Sequence, residues 1–348
     1  IVFIRVPLEV EQRKKVLLRR DLGEYMSYYH NMIKKVTNTI CDNQKENNNY
    51  ILVGDNSSGK SEILQSVIER KKDGAIYFID SVNRTFKVND VELIGKSYEN
   101  MSFDLRPILE MRLDPLNFNL QDTFGVVSCI ERLYAKYEQQ LIRMCKEFLG
   151  KDIHIKKEVI EEVGLTENVV IVNGERVKLS SGYQAILRLF CEIEFFADAM
   201  EVNNWEQGLI VIDEIDEYLS PRYSAEILNY LQNQFPDMNF LVTTHSLDLV
   251  KSTKNMNLIV IGEFDYEVYT GQQLEDSMLA EDVFTNLFFE ERKIHKSEDD
   301  SIDKELRRLL NIKIAKIWNE EYQKEFDDLP FDTMTPHQKI IYKQIEGW

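Results

Sequence analysis

Short apolar runs that end in glycine or polar residues recur along the chain and predict buried strands. A continuous apolar run of about four to eight residues is typical of a strand covered on both faces, as in a parallel sheet. Because helix-forming segments lie between the runs, the pattern predicts an α/β fold with a mostly parallel sheet flanked by helices. The runs occupy residues 50–53, 75–79, 209–212, 240–242 and 258–261.

Apolar residues at helical spacing mark most of the intervening segments. Ile63, Leu64, Val67 and Ile68, for example, fall on one face of a helix that begins just after the strand at 50–53. Residues 1–10 alternate enough to predict one further strand at the start of the chain. Predicted helices cover residues 12–40, 60–70 and 128–149, another follows directly from residues 179–184, and the tail at 272–348 is also predicted to be helical.

A β-hairpin is predicted between residues 169 and 179. Two strand-like stretches, 169–172 and 175–179, flank the dipeptide Asn173 and Gly174. Asn-Gly between two such stretches is the preferred sequence of a type I′ turn, because both residues tolerate a positive φ.

The composition narrows the class of protein. Hydrophobic residues make up 43% and charged residues 29%, which is typical of a globular protein. No apolar run approaches the ~20 residues that a transmembrane helix needs, so no membrane association is expected. The four cysteines lie in no paired motif, which predicts free thiols in a cytoplasmic protein. They are Cys41, Cys129, Cys145 and Cys191.

The net charge of −18 affects which molecules the protein could bind. Proteins that hold DNA through its phosphates usually present a basic face, whereas this surface is acidic on balance. Local basic clusters exist, so DNA stays open as a partner, and a basic protein partner is at least as compatible with the charge.

The first chemically informative motif follows the strand at 50–53. Residues 54–61 read Gly-Asp-Asn-Ser-Ser-Gly-Lys-Ser and fit the phosphate-binding pattern G-x-x-x-x-G-K-[ST]. The glycines let the backbone wrap a phosphate, and the loop amides and helix N-terminus attract it. Lys60 would add a charge between the β- and γ-phosphates, and Ser61 would ligate Mg²⁺. The expected nucleotide-binding residues are Gly54, Asp55, Asn56, Ser57, Ser58, Gly59, Lys60, Ser61 and Glu62.

Two carboxylates emerge where the strand at 209–212 ends. Asp213 and Glu214 lie at a strand C-terminus, the position where open α/β sheets bind ligands. Asp213 is expected to hold Mg²⁺ through water, and Glu214 to polarise the attacking water. An apolar strand ending in Asp-Glu is by itself a common strand cap, and the phosphate loop upstream favours the catalytic interpretation.

A hydroxyl- and glycine-containing segment at 180–182 opens a helix. Ser180, Ser181 and Gly182 could form a second anion site. One chain does not need two such sites for one γ-phosphate, whereas a dimer does if each subunit offers this segment to the ATP of the other. In isolation, an ordinary serine N-cap is the simpler interpretation.

A fourth motif ends the strand that begins at residue 240. It reads Phe-Leu-Val-Thr-Thr-His-Ser over residues 240–246. His245 could hydrogen-bond the γ-phosphate or the attacking water. A single histidine at a strand end is otherwise more often a structural group.

The four motifs in this order resemble the ABC-type ATPase superfamily. Residues 213–221 are most similar to its soluble branch, which includes RecF, SMC-type and OLD-type proteins and stand-alone ATPases of bacterial anti-phage systems such as PARIS and Septu. The resemblance covers about residues 50–80 and 165–265. It implies a P-loop NTPase with an ABC-type core, a helical insertion and a helical C-terminal tail. The segments would be 1–49 (strand and helix), 50–80 (first core lobe), 81–164 (helical insertion), 165–271 (second core lobe) and 272–348 (helical tail).

The resemblance also implies a role for each motif. Residues 54–61 match the Walker A loop, and Asp213 and Glu214 match Walker B and the catalytic base. Residues 180–182 match the signature that acts across a dimer, and His245 matches the switch histidine.

Other positions match the family less well. Leu219 to Pro221 match the D-loop, but Ser181 and Tyr183 depart from the usual L-S-G-G-Q signature. No Q-loop glutamine is evident after the strand at 75–79, where Asn83 is the candidate substitute. The adenine-stacking aromatic is not assigned.

The remaining segments exclude two variants of the family. The chain between residues 61 and 179 is too short for the coiled-coil arms of SMC-type proteins. OLD-type proteins carry a TOPRIM nuclease after the ATPase, which needs a Glu and a paired Asp-x-Asp to hold Mg²⁺. No Asp-x-Asp follows a strand in the tail, so we expect no intrinsic nuclease.

The sequence therefore predicts an ATPase that forms a homodimer, or a higher even-numbered homo-oligomer, around Mg-ATP. We expect it to act as a sensor or regulator of a separate effector protein in bacterial anti-phage defence. The alternative is a RecF-like repair ATPase, which would show a basic stripe and DNA-stimulated hydrolysis. A transporter subunit is a third class and would need a membrane partner.

Overall fold

The chain forms two compact units. One consists of Met32–Phe288, and the other of Ile1–Asn31 together with Phe289–Trp348. The computed structural model describes residues 28–42, 48–55, 58–81, 84–93, 103–114, 130–160, 165–262 and 265–270, and then 302, 305–306, 308–309, 312–313, 318–331, 334 and 336–346. The strand predicted at 1–10 and most of the first predicted helix lie outside these residues.

Nine strands are described. They are β1 (Tyr50–Gly54), β2 (Ile76–Ile79), β3 (Ile153–Ile160), β4 (Leu165–Val172), β5 (Glu175–Val177), β6 (Gly208–Ile212), β7 (Met238–Thr243), β8 (Asn257–Ile261) and β9 (Tyr266–Tyr269).

The described helices lie before, between and after these strands. They are α1 (28–41), α2 (Lys60–Lys71), α3 (Arg106–Leu113), α4 (Tyr134–Leu149), α5 (Ser181–Val202), α6 (Pro221–Gln234), α7 (Leu247–Ser252), α8 (Glu320–Asp327) and α9 (Pro336–Glu346), with 3₁₀ turns at Val88–Asp90 and Ile130–Leu133. None of the described helices is long and apolar enough to cross a membrane.

A six-stranded sheet forms the centre of the larger unit, in the order β2-β6-β7-β1-β8-β9. All neighbouring pairs are parallel except β8 with β9, which is antiparallel. Every residue of β1 and β2 is buried, as their unbroken apolar sequences predict. The predicted α/β fold with a mostly parallel sheet is therefore confirmed.

Helix α5 attaches to this sheet through aromatic side chains. The ring of Tyr77 on β2 stacks on Phe196 at 5.6 Å and meets the edge of Phe195 at 5.9 Å. Phe190 on the same helix contacts Phe148 of α4 at 5.9 Å. These contacts bury most of α5 in the core of the larger unit and fix the helix that carries residues 181 and 182.

A buried ion cluster lies between α5 and its neighbours. Glu192 accepts hydrogen bonds from Arg112 at 2.9 Å, from Arg188 at 2.7 Å and from the Tyr77 hydroxyl at 3.0 Å. Arg188 also contacts Glu131 at 3.3 Å. Since Arg112, Arg188, Glu131 and Glu192 are almost fully buried, each charge depends on its partners for stabilisation.

A second, three-stranded sheet is formed by β3, β4 and β5. The predicted type I′ turn is confirmed between β4 and β5, because Asn173 and Gly174 have φ values of 52° and 89°. The segment 81–164 is not purely helical, which corrects the prediction for that insertion. Its last part is β3, which pairs antiparallel with β4 along its whole length. The strand was missed because its charged residues hide the alternation that buries Ile153 and Ile155.

The C-terminal unit has its own small core. Its described elements are helical, as predicted for the tail, whereas residues 272–301 lie outside the described part. Phe326 stacks on Tyr342 at 4.1 Å, and Trp318 meets Phe326 edge-on at 6.0 Å. The buried residues are Leu306, Leu309, Phe326, Met334, Ile341 and Ile345.

Candidate functional site

Three adjacent strands of the large sheet end at one edge and carry three of the four motifs. β7 lies between β6 and β1, and all three run parallel. β1 leads into the phosphate loop, β6 leads into Asp213 and Glu214, and β7 leads into His245. Motifs that are far apart in the sequence therefore converge at the carboxyl edge of the sheet, where α/β proteins bind their ligands.

The phosphate loop turns sharply into α2. Gly59 has a φ of 98°, a left-handed conformation that favours glycine, and α2 begins at the next residue. The ammonium group of Lys60 donates to the carbonyl oxygens of Gly54 at 2.8 Å and Asp55 at 3.1 Å. Burial lowers the pKa of Lys60, and the nearby carboxylate of Asp213 opposes this shift.

One side chain of the loop has an unmet hydrogen-bonding capacity. The hydroxyl of Ser58 is buried and has no partner among the residues that the structure describes. A buried polar atom without a partner is costly, and a phosphate oxygen would supply an acceptor for it. Asn56 and Ser57 lie outside the described residues. Glu62 is exposed in the first turn of α2.

The predicted magnesium ligands lie next to each other. The Ser61 hydroxyl donates to Oδ2 of Asp213 at 3.3 Å. This proximity suits the expected roles, in which Ser61 would ligate Mg²⁺ and Asp213 would hold the ion through water. No cluster of three or more His, Cys, Asp or Glu side chains suited to a metal occurs within the described chain. A nucleotide-bound Mg²⁺ would not need such a cluster, because phosphates and waters supply most of its ligands.

Thr243, to which the sequence analysis assigned no role, binds both residues of the carboxylate pair. Its hydroxyl donates to Oδ1 of Asp213 at 2.6 Å and accepts from the backbone N–H of Glu214 at 2.7 Å. Thr243 is fully buried. The available signal was a hydroxyl residue at the end of an otherwise apolar strand, but only the adjacency of β6 and β7 shows what it binds.

Glu214 and His245 face each other across the site. Oε1 of Glu214 lies 3.9 Å from Nε2 of His245. Burial, and after it the charge of Asp213, raises the pKa of Glu214. Burial, and after it the charge of Lys60, lowers the pKa of His245. Both shifts favour the uncharged form of the group concerned, so the approach of His245 to Glu214 is weaker than an ion pair.

The residue before His245 fixes a further carboxylate. The Thr244 hydroxyl donates to the carboxylate of Asp216 and accepts from the backbone N–H of Ser246 at 2.9 Å. Thr244 and Ser246 are the residues directly before and after His245, and the second hydrogen bond joins them. The two bonds therefore restrict the backbone that presents the imidazole.

The segment at 180–182 lies at the surface. Ser180 accepts a hydrogen bond from the backbone N–H of Tyr183 at 3.3 Å, which is the N-cap that the sequence left open. Ser180 and Ser181 are both exposed. A Cβ on Gly182 would come within 2.9 Å of the carbonyl oxygen of Tyr218, so this glycine allows close approach of the segment after Asp216. That the segment at 180–182 acts across a dimer remains a prediction.

The known proteins to which this chain is similar include a Septu protein and a probable ATPase of a retron. No protein-family model matches the chain. It is 29% identical over 196 residues to the Septu protein PtuA of Bacillus mycoides (strain KBAB4), which covers 55% of this chain and 25% of that protein. It is 24% identical over 227 residues to the retron Vc95 probable ATPase of Vibrio cholerae serotype O1 biovar El Tor, which covers 60% and 42%. The chain thus spans less than half the length of these relatives.

Among solved structures, a nucleotide-free ATP-binding cassette from an ABC transporter aligns with a TM-score of 0.35 at 15% identity, covering 70% of this chain and 88% of that one. The sequence relatives include a Septu protein, the kind of system that the motif resemblance named. The predicted resemblance of this chain to Septu-like proteins is thereby confirmed, and a probable ATPase of a retron is a second relative.

Proposed function

We propose that this chain binds Mg-ATP at the carboxyl edge of its large sheet and hydrolyses it to ADP and phosphate. The observation that carries this proposal is the convergence of the phosphate loop, the carboxylate pair and the histidine at the ends of three adjacent parallel strands. The residues so gathered are Lys60, Ser61, Asp213, Glu214 and His245.

Each of these side chains has a task in that reaction. Lys60 leaves the loop carbonyls and binds the β- and γ-phosphates, while the loop amides and Ser58 surround them. Ser61 would ligate Mg²⁺ and Asp213 would hold it through water, and the bound ion would offset the charge of the phosphates. Glu214 takes the proton of the attacking water, and burial favours this role by raising its proton affinity. His245 donates a hydrogen bond to the γ-phosphate or the water.

The active form is proposed to be a dimer, or a higher even-numbered oligomer, that closes around ATP. Ser180 and Ser181 are exposed at the start of a 22-residue helix, which supports this proposal. The γ-phosphate of an ATP molecule bound to a second copy of the chain could lie against this helix N-terminus. Hydrolysis would remove the charge that joins the subunits. ATP would then act as a switch for the assembly.

The biological role is proposed to be that of a cytoplasmic sensor or regulator that acts on a separate effector protein in anti-phage defence. Similarity to a Septu protein and to a retron ATPase supports this role. The acidic balance of the chain, −18, favours a protein effector over DNA as the partner.

A charge-neutral variant tests the hydrolytic step. Glu214→Gln should retain ATP binding, turn over ATP at least about tenfold more slowly and prolong the ATP-bound dimer in analytical ultracentrifugation. Glu217→Gln is the matched control, since it removes the same charge from the same turn and should turn over normally. Normal hydrolysis by Glu214→Gln would contradict the assignment of the base.

A mixing experiment tests whether the site is shared between subunits. Lys60→Ala removes the phosphate loop function, and Ser181→Glu places a repelling charge at the exposed signature without touching the Ser180 cap. Each variant should be inactive alone. Mixed dimers should regain activity, since one subunit offers an intact loop and the other an intact signature. No recovery, with dimer exchange shown by subunit labelling, would refute a shared site.

A further inference from the structure

A buried arginine lies beneath the carboxylate pair. Arg84 follows β2 and is only 3% exposed. Its Nη2 donates to the carbonyl oxygen of Asp213 at 2.8 Å and contacts that of Glu214 at 3.4 Å. No role was assigned to it from the sequence. Its contacts are with the backbone of the two residues whose side chains define the proposed reaction.

Stability does not explain the choice of arginine at this position. Nε and Nη1 of Arg84 are buried without a partner among the described residues. Burial lowers the pKa of Arg84, and the charges of Asp80, Glu192 and Asp213 oppose that shift without removing it. A buried charge with partly unmet hydrogen bonds is often less stabilising than a well-packed apolar side chain.

The sheet order shows what Arg84 adds. β6 lies between β2 and β7, so the turn after β6 has a neighbour on each side. From the β7 side, Thr243 holds the Asp213 carboxylate and the Glu214 N–H. From the β2 side, Arg84 holds the two carbonyl oxygens. Thr243 of β7 and Arg84, which follows β2, thus both bind the turn after β6.

The backbone at this turn needs such support. Glu214 has a φ of 50°, a left-handed conformation that a residue with a side chain seldom adopts. The direction of the Glu214 carboxylate depends on that conformation, because the φ of a residue sets where its Cβ points.

We propose that Arg84 is a positioning residue for ATP hydrolysis, and that its guanidinium holds the backbone of Asp213 and Glu214 so that the Glu214 carboxylate faces the attacking water. This inference rests on the proposed ATPase function. Arginine suits the task because its planar group presents several N–H donors in a fixed geometry, whereas lysine offers a single point charge on a flexible stem.

The test uses Arg84→Lys, which keeps the charge, and Arg84→Gln, which removes it. Three quantities are measured on each folded variant: kcat for ATP, Kd for a fluorescent ATP analogue, and the Mg²⁺ concentration that half-saturates ATP binding. Arg112→Lys is the matched control, because Arg112 is equally buried but bonds to Glu192 and to the carbonyl of Phe78 rather than to the turn. Thermal melting followed by circular dichroism records the stability of all four proteins.

Both Arg84 variants should lower kcat at least about tenfold while the Kd for the analogue changes less than about threefold. They should also raise the half-saturating Mg²⁺ concentration, since Asp213 is held less firmly. Arg112→Lys should lower the melting temperature without changing kcat. An unchanged kcat in Arg84→Lys and Arg84→Gln, or loss of folded protein in both, would overturn the positioning role.

The two proposals fail in distinguishable ways. If wild-type protein hydrolyses ATP but the Arg84 variants hydrolyse it equally well, only the role of Arg84 is refuted. If wild-type protein binds ATP without hydrolysing it, the ATPase proposal is refuted. In that case the Mg²⁺ concentration that half-saturates ATP binding still tests whether Arg84 holds Asp213. The same half-saturating concentration in wild type and in the Arg84 variants would refute this part of the proposal as well.

Discussion

The hydroxyl of Thr243 donates a hydrogen bond to the carboxylate of Asp213 at 2.6 Å, in a fully buried position. The same oxygen accepts the N–H of Glu214, so one atom fixes both neighbouring residues. A hydroxyl that both donates and accepts is hard to replace, since an apolar group of the same shape leaves both partners without this hydrogen bond.

We therefore expect Thr243→Val to lower kcat for ATP by at least about tenfold, because losing buried hydrogen bonds to a charged group costs about 1–3 kcal/mol in positioning. Thr243→Ser keeps the hydroxyl and should retain most of the activity. Steady-state kinetics on both variants measure the difference. Equal activity in the valine and serine variants would show that the hydroxyl has no part in the reaction.

Lys60→Ala should abolish ATP binding, because it removes the ammonium group that lies against the carbonyl oxygens of the phosphate loop and would bind the phosphates. Isothermal titration calorimetry with Mg-ATP measures the loss. Lys72→Ala is a suitable control, since it removes an exposed lysine just after the same helix, where it pairs with Glu69. Unchanged affinity in Lys60→Ala would contradict the phosphate-loop assignment.

Glu192→Gln should destabilise the fold by about 3–5 kcal/mol, because it leaves the buried charges of Arg112 and Arg188 without their shared carboxylate. Urea denaturation measures this change in the free energy of unfolding. Glu201→Gln, an exposed change at the end of the same helix, should have almost no effect. If Glu192→Gln lowers the free energy of unfolding no more than Glu201→Gln does, the charge of Glu192 does not stabilise the buried ion cluster.

The same residue predicts a pH dependence of stability. Burial by itself raises the pKa of Glu192, but Arg112 and Arg188 outweigh it and hold that pKa below its ordinary value of 4.5. A carboxyl whose pKa is lower in the folded state stabilises the fold above its unfolded pKa, and this contribution is lost as the pH falls through the folded pKa. The difference in unfolding free energy between wild type and Glu192→Gln should therefore shrink on acidification below about pH 4.5. A difference that stays constant across that range would refute the assignment.

Some features were predictable because they depend on local sequence. The apolar runs identified β1, β6, β7 and β8, and the turn type followed from Asn173 and Gly174. The strand β3 is not evident from the sequence, since its charged residues make it look polar. Its place in the fold becomes clear only from its antiparallel pairing with β4. The N-cap at Ser180 was kept open as an alternative and is present.

The sequence by itself determined the motifs of this protein: a phosphate loop, a carboxylate pair, a serine-capped helix and a histidine, each defined by neighbouring residues along the chain. Only the tertiary structure decided how they are held. Thr243 and Arg84 act on Asp213 and Glu214 because β6 lies between β7 and β2, and the order of strands in a parallel sheet is set by packing of the whole core. Local patterns of apolar and polar residues carry no record of that order.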